Sequence, residues 1–335
     1  MKRRKEKRQS INRRKHSSHS TSLFTALLLG LSIAFPHGAS ADVSEIRIPI
    51  DRAFPESITS AADGTIYIGS MAQGQIFRVP PGGASAEPWI KQGSNDLISV
   101  VGVLADDSSG TLWACSSDMT SMGVSFPGSP AQTALKAFDL KTGAPKGSYP
   151  FPAGESFCND IAIGSDGAAY VTDTINPRIL RLKKGAAQLE TWVENPVFGT
   201  TEGNLDGIAF GADNNLYVNT FEGFKLFRVD VGAGNSAGDI TELRTSQPLD
   251  HPDTIRLLPD GTFLMVEGAG RLDRVEISGD VAKLTVLKDG MNGPASVTQI
   301  GNTAWVLEGQ LTLLFDPSKS SIKPDPFRAI AVPLK

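Results

Sequence analysis

Glu56, Asn159, Asp206 and Asp253 each stand two residues before an apolar strand residue, at Ile58, Ile161, Ile208 and Ile255. Val101 and Ala295 hold the same place before Val103 and Val297. A place that recurs in this way and carries oxygen in four of six copies is a candidate ligand column. Three carboxylates brought together without a counter-charge repel one another and raise each other's pKa. A hard divalent cation resolves that conflict, because Ca2+ accepts carboxylate and amide oxygens in flexible geometry. Ca2+ is the expected ion, and Mg2+ and Mn2+ are the other hard cations that such donors suit. Zinc does not suit them, since the chain has no Cys or His cluster. Asp and Asn also cap turns at strand starts, but Glu is a poor turn residue, and that explanation leaves Glu56 without a role.

A second column follows where the next strand returns to the same end: Ser70, Ser116, Asp173, Thr220, Glu267 and Glu308. Asp173 and Glu267 from this column, with Arg178 and His251 from neighbouring loops, are the expected substrate contacts. His251 is the only histidine after residue 41 and lies two residues before Asp253. It reads either as a proton shuttle or as a solvated loop residue. Asp160 directly follows Asn159 and reads either as a support for the column or as an exposed turn carboxylate.

Such columns require elements that bring distant residues to one axis. Six times the chain repeats an apolar lead-in, a short strand, a tight turn and a second strand. The turn residues are Gly64, Gly110, Gly167, Asn214, Gly261 and Asn302, about 41 to 57 positions apart. Asp-Gly pairs favour hairpins because glycine reaches positive φ without steric cost. A period near 45 built only from short strands is that of one propeller blade. The predicted fold is all-β, a six-bladed β-propeller of four-stranded antiparallel blades. Glu45–Ile48 and Arg328–Val332 are the spare strands that would complete the last blade.

Residues 1–41 read as a secretory leader rather than as part of the fold. Met1–Ser22 carries nine Lys/Arg against one Glu, and an apolar run of 13 residues, Leu23–Phe35, precedes Ala39-Ser40-Ala41. That run is short for a membrane span, and the small residues suit a cleavage site. The expectation is a periplasmic or secreted protein whose single domain is residues 42–335, with no membrane association after cleavage. Removing the leader leaves 23 basic and 35 acidic residues, a net charge near −12. An acidic surface argues against nucleic acid and anionic membranes as partners. Cys115 and Cys158 fall at one rim of adjacent repeats, either as a disulfide or as two buried thiols.

Phe54-Pro55-Glu56-Ser57, Asn159-Asp160-Ile161 with Asp166-Gly167, and Asp206-Gly207-Ile208 with Leu216-Tyr217-Val218 resemble the senescence-marker-protein/gluconolactonase family. The resemblance extends as a blade pattern over nearly all of residues 42–335. It implies a calcium-dependent six-bladed propeller that opens lactones or related esters. It also implies that Glu56, Asn159 and Asp206 hold the metal, with Asp206 as general base. Two places depart from the family: Val100-Val101-Gly102 stands where Asn-Asp-Gly is common, and Asp253 is more like the larger paraoxonase-type site. Asp253 joins the expected metal ligands and shares the candidate base role with Asp206. With one histidine outside the leader, a Ser-His-Asp triad has little support. Two functions follow: an exported metal-dependent hydrolase acting on a small-molecule lactone or ester, or a non-catalytic propeller with structural calcium that binds a small ligand or partner protein.

Overall fold

The structure is a computed structural model and describes residues 43–126, 128–199 and 205–334. The leader assigned to residues 1–41, and Asn204 at the head of the fourth repeat, lie outside the described residues.

Six antiparallel sheets form the blades of a six-bladed β-propeller, as the repeat predicts. Their innermost strands are Pro55–Ser60, Val103–Asp106, Cys158–Ile163, Leu205–Phe210, Pro252–Leu257 and Pro294–Ile300. Blade 5 carries one extra short strand, Arg244–Thr245, paired parallel to its outer edge. Blade 6 closes the ring: Pro294–Ile300, Thr303–Glu308 and Arg328–Pro333 come from the end of the chain, and Glu45–Arg47 supplies the outermost strand.

Strand alternation explains why the blades stack. Successive side chains point to opposite faces of a sheet, and both faces of each blade meet a neighbour. In the second strand of blade 4, Leu216 and Val218 pack towards blade 3 while Tyr217 packs towards blade 5. The described core accordingly divides into six apolar clusters, one between each pair of neighbouring blades. The hairpin turns follow the Asp-Gly signal. Asp63, Asp166, Asp213 and Asp260 each accept a backbone N–H two residues on, and Gly64, Gly167 and Gly261 take positive φ behind them. In blade 6 the positive-φ residue is Gly301, not Asn302.

Small hydroxyls link each of several blades to the inner strand of its neighbour. Val103 donates its N–H to Ser57 Oγ (3.1 Å), Ile58 to Ser296 Oγ (3.2 Å), and Thr174 Oγ1 donates to the Leu205 carbonyl (2.7 Å). Cys115 and Cys158, from blades 2 and 3, form a disulfide.

Ring closure rests on Ile46, which is 1% exposed in the cluster between blades 6 and 1. Ile46→Ala is expected to cost about 2–4 kcal/mol of unfolding free energy, measured by urea denaturation, whereas an unchanged midpoint would show that the closing strand contributes little.

Candidate metal centre

The four oxygen-bearing column residues lie at one end of the central channel, where the innermost strands begin. The backbone aims them there through one device. In five blades the pairing between the inner and second strands slips at the column: between Pro55 and Ser57, Cys158 and Ile161, Leu205 and Ile208, Pro252 and Ile255, and Pro294 and Ser296. A bulge of this kind bends the strand and re-aims a side chain. In blade 2 the strand starts only at Val103, and Val101 lies before it, fully buried.

In blades 3, 4 and 5 the preceding blade then pins the bulge by its carbonyl. Gly102 N–H donates to the Asn159 carbonyl (2.8 Å), and Thr172 Oγ1 donates to the Asp206 carbonyl (2.8 Å). Asn219 donates to the Asp253 carbonyl and accepts from Gly207 N–H (2.9 Å). Two glycines make this approach possible. A Cβ on Gly102 would lie 2.1 Å from the Asn159 carbonyl oxygen, and one on Gly207 would lie 2.2 Å from that of Asp253.

With the backbone pinned, the side chains keep free oxygens. Glu56, Asn159, Asp206 and Asp253 are all buried, and Glu56 Oε2, Asn159 Oδ1, Asp206 Oδ1 and Asp253 Oδ1 each lack a hydrogen-bond partner. Asn159 Nδ2 donates to Thr174 Oγ1 (3.0 Å), which turns its carbonyl oxygen to the free side. Burial first, then the charges of Asp206 and Asp160, pushes the Glu56 carboxyl well above the usual range. Burial and Asp160 push Asp206 up to about 7. Burial, Asp206 and Glu56 raise Asp253 strongly. Among the described residues no group of three or more His, Cys, Asp or Glu is already set as a metal cage. Yet four buried, unsatisfied oxygens from a Glu, an Asn and two Asp are the donor set that a hard divalent cation takes, and buried acceptors without a partner are costly in its absence. The residues fit such an ion.

Arg256, which repeat alignment does not single out, supplies the counter-charge beneath the column. Its guanidinium grips both oxygens of Asp160 (2.7 and 2.9 Å), and Asp160 also accepts the Ile208 N–H (3.1 Å). Asp160 is thus buried and engaged, not an exposed turn carboxylate. The only sequence signal for Arg256 is a cation inside an inner strand of apolar and small residues.

The second column has a different occupation. Asp173 accepts the Phe157 N–H (3.0 Å) and pairs with Arg178 (2.9 Å), so these two expected substrate contacts bind each other. Glu267 accepts the Asp250 N–H and pairs with Arg271 (2.7 Å), and Glu308 repeats the pattern with Asn292 and Arg328. Each carboxylate latches the segment that leads into its blade's inner strand. Glu267 also faces Asp273, and burial followed by the hydrogen bond with Glu267 pushes Asp273 up to about 8. His251 lies at the channel rim with Nδ1 2.6 Å from Asp250 Oδ1. Gly234-Asn235-Ser236-Ala237-Gly238 has the spacing of a nucleophile elbow. It lies in the turn between the third and outer strands of blade 4, at the opposite end from the column, with Ser236 Oγ donating to the Ala233 carbonyl. A cleft of about 610 Å³ lined by Asp213, Tyr217 and Arg228 also opens at that far end. Its polar groups bond to one another.

No protein-family model matches the sequence, and no curated protein sequence matches it. Solved structures do share the fold. A regucalcin from Agrobacterium tumefaciens, described as a calcium-binding protein, superposes with a TM-score of 0.62 at 14% identity over 87% of this chain and 95% of its own. A gluconolactonase from Xanthomonas campestris gives 0.61 at 14% over 84% and 87%. A Staphylococcus aureus virginiamycin B lyase, made catalytically inactive by one His-to-Ala change, gives 0.59 at 19% over 86% and 83%. At these identities the likeness bears on the fold alone, a fold related to that of two enzymes and a calcium-binding protein.

Gly207→Ala forces backbone against backbone and is expected to cost about 1–3 kcal/mol, read from the urea midpoint; a neutral result would mean that the bulges move freely. For Asp273, the folded state keeps a proton that the unfolded chain releases above about 4, so its contribution is lost as pH rises from about 4 to about 8. The Tm advantage of Asp273→Asn over the unaltered protein should be small at pH 5 and larger by several degrees at pH 9, and an equal difference at both pH values would count against the buried proton.

Proposed function

We propose that the protein is a metal-dependent hydrolase of small-molecule lactones or related esters, exported to the periplasm or secreted. The observation that carries this reading is the set of four unpartnered, buried oxygens contributed by blades 1, 3, 4 and 5 at one mouth of the channel. Enzymes of the same fold among the structural neighbours support it, as do the leader sequence and the Cys115–Cys158 disulfide, a bond of oxidising compartments.

Glu56, Asn159, Asp206 and Asp253 would hold the ion. A divalent cation bound there supplies Lewis-acid polarisation of the substrate carbonyl and charge for the developing oxyanion. The remaining roles belong to the chain. Asp206, at the edge of the place the ion would take, is the carboxylate positioned to take a proton from water. It would accept that proton from the attacking water as the new carbon–oxygen bond forms. The proton then passes to the leaving alkoxide as the ring bond breaks, giving a hydroxy acid. Asp253, buried and raised in pKa by the neighbouring charge of Asp206, is the second group able to hold the proton. Arg256 keeps Asp160 from joining the acids at the column.

Val101 favours a second reading, a non-catalytic propeller with structural calcium that binds a small ligand or partner protein. It is fully buried where blade 2 would otherwise lend a polar arm. Purified protein assayed on lactones and aryl esters is expected to lose activity with excess chelator and regain it with calcium. Asp206→Asn should lower kcat by about 10²-fold or more with the fold intact by circular dichroism. Activity that survives both treatments would sink the mechanism, and a calcium-dependent rise in Tm without hydrolysis would establish the binding propeller instead.

A further inference from the structure

The mouth of the channel has an apolar side. Because the strands are antiparallel, the turns between second and third strands and the connections between blades gather at the end where the column lies. Met122, Val197, Phe224 and Ile322, four large hydrophobic side chains that stay exposed, all belong to those segments. Single exposed hydrophobics are ordinary, but around Phe224 they become a cluster. The His251 ring packs edge-on against Phe221 (5.0 Å between centroids) and Phe224 (4.7 Å). Gly268 borders both Phe221 and His251, and even a Cβ there would touch them at 3.4 Å.

Backbone conformation marks the same place. His251 and Phe224 both sit in the left-handed region, at φ 57° and 54°. Bulky residues rarely adopt it, and such strain gathers at functional sites. The Asp250 carboxylate can only accept, so the bond at 2.6 Å has Nδ1 of His251 as its donor and fixes the orientation of the ring. The cluster spans blades 4 and 5, the blades that carry Asp206 and Asp253, and His251 lies two residues from Asp253.

We infer that Phe221, Phe224 and His251 form a subsite for an aromatic arm of the substrate, so that the protein prefers aryl-substituted lactones or esters to polyhydroxylated sugar lactones. This inference rests on the hydrolase reading for its reaction, but its binding half stands alone. Aromatic groups meet edge-on with a gain beyond buried area, and His251 already meets Phe221 and Phe224 in that way. Blade 2 adds no polar side chain at the column position, where Val101 follows Val100 and both are fully buried.

Fluorescence titration of the full protein with N-phenylnaphthylamine, a neutral aromatic probe, tests the subsite. Saturable binding is expected, displaced by a phenyl-substituted butyrolactone and not by gluconolactone. Phe224→Gly removes the ring while relaxing a strained backbone position, and should weaken probe binding about tenfold or more without lowering Tm. Val286→Ser removes an equally exposed side chain from the outer strand of blade 5 and should change nothing. No saturable binding, equal loss in both variants, or equal displacement by gluconolactone would overturn the inference. If the probe results hold while no lactone is hydrolysed, the subsite stands and the hydrolase reading falls.

Discussion

Three of the four column residues have their carbonyl held by the blade before them. Gly102 holds Asn159, Thr172 holds Asp206, and Asn219 holds Asp253. This constraint comes before the chemistry. A bulge alone would leave the backbone free to turn its polar side chain back to solvent, where a carboxylate is more stable. Pinned by the carbonyl, the residue must present its side chain to the axis, and neighbouring blades bring the acids together whatever their mutual repulsion.

The electrostatic consequence is an unbalanced interior. Glu56, Asp160, Asp206 and Asp253 face one guanidinium, Arg256, and that guanidinium is committed to Asp160. Buried carboxylates in this position either take up protons or attract a cation, and the two responses compete. The raised pKa values describe the first response and the four unpartnered oxygens prepare the second. Burying an Arg–carboxylate pair beneath the column is costly in itself. Here it partly offsets the charge of Asp160, which still raises the pKa of Glu56, Asp206 and Asp253.

Much of the fold was legible in the sequence because a propeller is periodic. The Asp-Gly turns set the phase of each blade, and the phase set which residues start an inner strand. The column of Glu56, Asn159, Asp206 and Asp253 follows from that phase alone. What lay beyond reach was radial. Asp173, Glu267 and Glu308 share the period of the column but sit one strand further out, where an arginine and a backbone N–H occupy them, and nothing in the spacing records that distance. Arg256 reaches Asp160 across 96 residues of sequence, a contact that depends on the width of the channel and not on the repeat. The cysteines lay between these cases. Periodicity placed both at one rim, but only the packing of blade 2 on blade 3 joined them.

The strand that closes the ring also sets an order of events. Arg47 pairs with Arg328, and the Arg328 guanidinium reaches Glu45 over a separation of 283 residues. Five blades can be assembled from neighbouring hairpins, each burying its own cluster against the last. The sixth cannot, because its outer strand is near the first part of the chain to be made and its inner strands are near the last. Until both are present, the growing arc keeps an open face at each end. Its final contact is also its most distant, of the kind that forms slowly, and the channel mouth has no fixed circumference before then. The column of Glu56, Asn159, Asp206 and Asp253 therefore becomes a single site only at the last step of folding.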